Sequence, residues 1–156
     1  MEYEPAVAVL EALERGGVRY CVFGGIAVNI HGLPRFTEGL DLFVAPESDD
    51  IERLKAALRS VFDDPSIDEI SAEDLLGDYP AVQYVPPEGA FHIDILTRLG
   101  DAFRWEDLEL ERVPFEGRLV SVATPRMLYR MKKDTVRPKD RIDAEALRQR
   151  FHLKDE

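Results

Sequence analysis

The sequence predicts one α/β or α+β domain, spanning residues 1–156, in which helices pack around a mixed central sheet. Three observations carry this. β-rich apolar runs such as "VRYCVF", "LDLFV" and "FHIDIL" alternate with segments whose apolar residues keep helical spacing. Turn-forming residues join two pairs of β-rich runs, "FHIDIL" among them, which adds hairpins to the sheet. The length of 156 residues suits one domain with a core large enough to fold unaided.

In chain order, Pro5 suits a first helical turn, and "AVAVLEALER" continues it until Gly16 and Gly17 stop it. Val18 to Phe23 is nearly all apolar, as in a strand covered on both faces. Gly24 and Gly25 follow at once, then a short helix, "IAVNIH", ended by Gly32 and Pro34. "LDLFV" is a second strand, and Ser48 is expected to cap a helix whose apolar positions are Ile51, Leu54, Leu58 and Val61. Residues 63–77 are acidic, with a short helix that Ser71 can cap. "AVQYV" and "FHIDIL" flank the turn "PPEGA", and a second hairpin turns at Glu116 and Gly117. Thr124 and Pro125 start one helix, and a last helix follows Pro138.

Composition narrows the function. Hydrophobic residues make up 45% and charged residues 33%, an ordinary globular profile. No apolar run approaches the ~20 residues of a membrane span, so no membrane partner is expected. The acidic, helix-patterned N-terminus is unlike a signal peptide. Cys21 lies in an apolar run and reads as a buried thiol, which fits a reducing, cytoplasmic setting. The formal net charge of −11 repels nucleic acid on average and mildly disfavours RNA as a substrate. Lys132, Lys133, Arg137 and Lys139 are the exception, a local concentration of positive charge.

A strand that runs through Gly-Gly directly into a helix can cradle a phosphate. The glycines let an anion approach closely, and the helix N-terminus favours it. The same pair also reads as a tight turn requiring positive φ. Asp41 is a lone acid in an apolar strand, and Asp94 in "FHIDILT" is another. Such carboxylates are costly to bury unless paired or bound to a cation. On neighbouring strands beside a phosphate-cradling turn they would form an Mg²⁺-dependent nucleotidyl-transfer site. Facing solvent, they would be edge-strand acids and nothing more.

The stretch "FGGIAVNIHGLPRFTEGLDLFV" resembles the first motif of the DNA polymerase β-type nucleotidyltransferases. The likeness is to their small bacterial branch: minimal nucleotidyltransferases, AbiEii-type toxins and aminoglycoside nucleotidyltransferases. Matching positions are Gly24 and Gly25, His31 and Gly32, Arg35 and Thr37, and Asp41, with Asp94 as the later carboxylate. "TPRMLYRMKKDTVRPKDRIDAEAL" resembles the end of the same branch. The resemblance implies a nucleotidyltransferase fold with Asp41 and Asp94 as catalytic, metal-binding residues for Mg²⁺ or Mn²⁺. It implies that Gly24, Gly25, Arg35, Thr37, Lys132, Lys133, Arg137 and Lys139 bind nucleotide or phosphate. The expected partners are an NTP and a small-molecule, protein or RNA hydroxyl acceptor, or a cognate toxin or antitoxin.

The chain departs from the pattern at Gly39, where the branch carries its first aspartate. Two carboxylates remain, so the ion is expected to be weakly bound or absent. Glu38, one residue along, points to the opposite face of a regular strand. Two readings follow: an active transferase of nucleoside monophosphate, or a degenerate nucleotide- or protein-binding module. Ligand count alone predicts that Gly39→Asp tightens ion binding. His92 shares a strand face with Asp94 and falls beside the site; His31 closes its helix. Asp140 and Asp143 are expected to make local helix-start contacts, and Trp105 to pack.

Overall fold

A computed structural model describes residues 4–35, 37, 39–87 and 91–154. Helix α1 (Glu4–Arg15) leads into β1 (Tyr20–Phe23), which runs directly into α2 (Gly24–Ile30). β2 (Gly39–Val44), α3 (Ser48–Val61) and the short α4 (Ala72–Leu76) follow, then β3 (Ala81–Tyr84) and β4 (His92–Leu96). A small ribbon, β5 (Arg98–Leu99) and β6 (Phe103–Arg104), precedes the hairpin of β7 (Leu110–Phe115) and β8 (Arg118–Ala123). The chain closes with α5 (Pro125–Lys132) and α6 (Pro138–Phe151).

Among the described residues the main sheet has six strands in the order β3-β4-β2-β1-β8-β7. It is mixed. β2 runs parallel to β4 and β1 parallel to β8, while the β1–β2, β3–β4 and β7–β8 pairs are antiparallel. The Glu116–Gly117 turn forms because both residues adopt positive φ, 50° and 84°, the geometry of a tight hairpin. The "PPEGA" turn falls partly on residues 88–90, which lie outside the described residues.

Leu40, Leu42 and Val44 of β2 are fully buried with Ile93 and Ile95 of β4, Leu10 and Leu13 of α1 and Leu54 and Leu58 of α3. On the other face of β2 the buried Phe43 packs edge-on to Phe23 and against the Trp105 ring, at 6.2 and 6.3 Å between centroids. Trp105 is therefore a packing residue. Cys21 is fully buried, and burial pushes its thiol up to about 12, well outside the range of a reactive thiolate.

Ser71 and Thr124 cap as the sequence predicts: their hydroxyls accept from Asp74 N and Met127 N, each at 3.1 Å. Ser48 does not. α3 begins on Ser48 itself, with Glu47 in the cap position and no side-chain cap bond. Asp49 and Asp50 supply the negative charge that the first turn favours. Asp50, 1% exposed, accepts from the backbone and guanidinium of Arg19 and so anchors α3 to the start of β1. No helix among the described residues is long and apolar enough to cross a membrane.

Candidate active site

The strand register assembles the site. Asp41 pairs with Phe23 of β1 on one side and with Asp94 of β4 on the other, and Asp94 pairs in turn with Gln83 of β3. Register partners share a sheet face. One row across the sheet therefore reads Gln83, Asp94, Asp41, Phe23, and the chain turns into α2 at the next residue, Gly24.

Gly24 has φ +72°, and a Cβ built on it would fall 1.9 Å from Asp41 Oδ2. Only glycine can stand here, since the Asp41 carboxylate occupies the volume of its missing side chain. Gly25 is also confined: a Cβ there would lie 3.2 Å from Thr37 Cβ. Thr37 donates its hydroxyl to Gly39 O at 3.0 Å and holds the entry to β2 in place. α2 starts on the two glycines rather than after them.

The two carboxylates stand side by side on adjacent strands. Burial raises the Asp41 pKa to about 7, and the charge of Asp94 and a hydrogen bond between the two add to it; Lys132 and His92 oppose the rise. Gln83 Nε2 donates to Asp94 Oδ1 at 3.1 Å, and His92 Nε2 lies 3.4 Å from Asp94 Oδ2. This donor set suits a cation: two hard oxygens on adjacent strands whose mutual repulsion a positive charge would relieve. Among the described residues no three His, Cys, Asp or Glu side chains form a group that could hold a metal ion. Glu38 lies outside the described residues.

Asp41 opens onto a cleft of about 340 Å³ whose lining includes Gly24, Gly25, Arg35, Lys132 and Arg137. Lys132 is buried and reaches Asp140 at 3.3 Å and Asp143 at 3.2 Å. Asp143 also binds Arg35 Nε at 3.1 Å, and Asp140 accepts from Thr135. Here the structure corrects the sequence reading. Asp140 is a first-turn residue of α6 and binds Thr135 and Lys132 shortly before it, whereas Asp143 is not local: it joins α6 to Lys132 of α5 and to Arg35 in the loop before β2. The signal that could have found this is the spacing of Asp140 and Asp143, which puts both on one face of α6.

Lys133 and Lys139 do not line this cleft. Lys133 sits over the Tyr129 ring, 5.8 Å from its centroid, and borders a separate depression. Lys139 is exposed on the first turn of α6. His31 caps α2, and its Nε2 lies 2.8 Å from Ala123 O, which ties that helix to the end of β8.

Gly39 pairs with His92, and a Cβ on it would fall 2.6 Å from His92 Nε2 and 2.8 Å from His92 O. The imidazole fills the space of a side chain at 39, and the backbone carbonyl closes it further. A carboxylate added at 39 would have to displace the His92 ring and open the strand pairing before it could reach an ion.

Residues 19–153 match the family model "Nucleotidyl transferase AbiEii toxin, Type IV TA system". No curated protein sequence matches the chain. In structure the chain is similar to the lincosamide antibiotic adenylyltransferase LnuA, lincomycin-bound, with a TM-score of 0.59 at 12% identity over 95% of this chain and 97% of that one. It is similar to ANT(2'')-Ia in complex with adenylyl-2''-tobramycin, with a TM-score of 0.58 at 12% identity over 96% and 90%. A nucleotidyltransferase-like protein from Paracoccidioides brasiliensis gives 0.52 at 16% identity over 92% and 74%. At these identities the likeness shows the fold, which is that of the nucleotidyltransferases.

Two outcomes follow from the geometry. Gly39→Asp overpacks the β2–β4 seam and should lower stability by about 1–3 kcal/mol, read from the urea midpoint; an unchanged midpoint would show that the seam opens freely. Asp41 keeps its proton up to about pH 7 when folded but loses it near 3.8 when unfolded. The folded state thus binds more protons between those values, and this contribution to stability falls as pH rises from 3.8 to about 7. Asp41→Asn should remove that fall, so the variant gains on wild type between about pH 4 and about pH 8 in urea unfolding.

Proposed function

Because the chain belongs to the AbiEii nucleotidyl transferase toxin family, we propose that it transfers a nucleoside monophosphate from an NTP to a hydroxyl acceptor. The observation that carries the reading is the row of Asp94 and Asp41 ending at Gly24, with the cleft directly above Asp41. In the reaction the acceptor hydroxyl gives up its proton to water, its oxygen bonds to the α-phosphorus, the bond from that phosphorus to the bridging oxygen breaks, and pyrophosphate leaves with the electron pair.

Each residue has a task that follows from its place. Asp41 and Asp94 would hold a divalent cation, Mg²⁺ or Mn²⁺. When bound, that ion supplies positive charge to the triphosphate and polarises the reacting oxygens. Gly24 and Gly25 let the phosphates come close to the backbone at the start of α2. Lys132 and Arg137 supply positive charge along the cleft wall, and Arg35, held by the same Asp143 oxygen as Lys132, lines it too. Thr37 keeps the residues before β2 against Gly25. Lys133 and Lys139 take no part in this scheme, because they stand outside the cleft.

Gly39 favours a second reading, in which the fold binds nucleotide or a partner protein without transfer. The family's description as a toxin of a type IV system supports a cognate antitoxin as that partner, or as the regulator of an active enzyme.

One experiment separates these. The chain is titrated with ATP, CTP, GTP and UTP in the presence of Mn²⁺, then supplied with α-labelled nucleotide and separate small-molecule, protein and RNA acceptor pools. Transfer predicts label on one pool, lost in Asp41→Asn and Asp94→Asn, and NTP binding lost in Gly25→Val. Binding without label in any pool supports the binding module. Absence of NTP binding overturns transfer and nucleotide binding alike and leaves the partner-protein module.

A further inference from the structure

We propose a second ligand site, on the face of the β5–β6 ribbon turned away from the nucleotide cleft: a groove that takes a small phosphate monoester with an apolar body. It shares no lining residue with the cleft, so it stands whether or not the transfer reading does.

The ribbon sorts its side chains by alternation. Arg98 pairs with Arg104, and Leu99 with Phe103. Register partners share a face and successive residues alternate, so the two arginines stand on one face and Leu99 on the other. Leu99 borders the nucleotide cleft, whereas Arg98 and Arg104 line a separate groove of about 330 Å³. That volume falls at the small end of the roughly 300–1,000 Å³ typical of small-molecule sites.

Charge gives the ligand its sign. Acidic residues outnumber Lys and Arg by 31 to 20 in this chain, and Arg19, Arg59 and Arg112 each lie 2.7 Å from a carboxylate oxygen. Arg98 and Arg104 are exposed, and among the described residues neither guanidinium is in an ion pair. Asp107 does not neutralise them, because its carboxylate accepts from the Arg104 backbone N–H at 2.8 Å. Glu106 is the one acid in the lining, which leaves two positive charges against one negative. Paired guanidinium forks match the oxygens of a phosphate dianion. A long polyanion is repelled by the rest of a chain with a net charge of −11.

The rest of the lining gives the ligand its body. Leu75, 2% exposed, and Leu76, 43% exposed, border the groove with Trp105, whose ring is held from behind by Phe43. Inorganic phosphate would meet the arginines and leave this apolar surface uncovered. An ester with an aromatic or alkyl group meets both.

Trp105 is the only tryptophan in the chain and lines the groove, so its fluorescence reads occupancy directly. The full chain, without nucleotide, is titrated separately with phenyl phosphate, inorganic phosphate, benzyl alcohol and a single-stranded oligonucleotide. Phenyl phosphate should change Trp105 emission saturably, and the other three should bind at least about tenfold more weakly. Arg98→Gln and Arg104→Gln alter only exposed side chains; each should weaken phenyl phosphate by about tenfold, as expected on losing a hydrogen bond to a charged group. Arg137→Gln, in the nucleotide cleft, should leave the affinity unaltered. Absence of a saturable change overturns the inference, as does unaltered affinity in both folded groove variants. Weakening by Arg137→Gln alone would put the probe in the nucleotide cleft and overturn it too. Inorganic phosphate or benzyl alcohol binding as tightly as phenyl phosphate would contradict the assigned ligand class, and a tighter oligonucleotide would replace it with nucleic acid. These wild-type titrations decide even if a variant fails to fold.

Discussion

The register of β2 between β1 and β4 is the constraint on which the rest of the site depends. It places Asp41 opposite Asp94 on one side and opposite Phe23 on the other, with Gly24 next in the chain. A slip of one residue would turn Asp41 into the apolar layer and bring Leu40 and Leu42 out of it. The fully buried Leu40, Leu42, Ile93 and Ile95 forbid that slip, so the hydrophobic face positions the polar one. The carboxylates stay close despite their repulsion because the core beneath them fixes the strands.

Electrostatics then extends the site beyond the sheet. Burial of Asp41, with the charge of Asp94 beside it adding to the effect, holds its proton up to about pH 7. Lys132 eases this from α5 while bound to Asp140 and Asp143 of α6, and Asp143 in turn holds Arg35. The last two helices are thereby tied to the loop that enters β2. A chain with a formal charge of −11 still presents cations along one cleft because these acids hold Lys132 and Arg35 at its wall.

Much of this was legible in the sequence. The strand, Gly-Gly, helix pattern and the two lone acids in apolar strands pointed to the site, because burying an unpartnered carboxylate is costly enough to need a reason. Local signals served well where the cause is local, as with the caps at Ser71 and Thr124 and the Glu116–Gly117 turn. Ser48 misled because acids already satisfy the first turn of α3. The Arg35–Asp143–Lys132–Asp140 network was illegible, since it joins residues up to 108 positions apart. So was the meaning of Gly39. A ligand count sees a missing aspartate there, and only the β2–β4 pairing reveals the His92 ring filling that space.

The most direct test of the central claim is a crystal structure of the chain with a non-hydrolysable NTP analogue and Mn²⁺, the ion located by its anomalous scattering. The geometry predicts triphosphate along Gly24 and Gly25, within reach of Lys132, and an Mn²⁺ peak shared by Asp41 and Asp94. Nucleotide bound elsewhere, or an ion peak touching neither carboxylate, would contradict it.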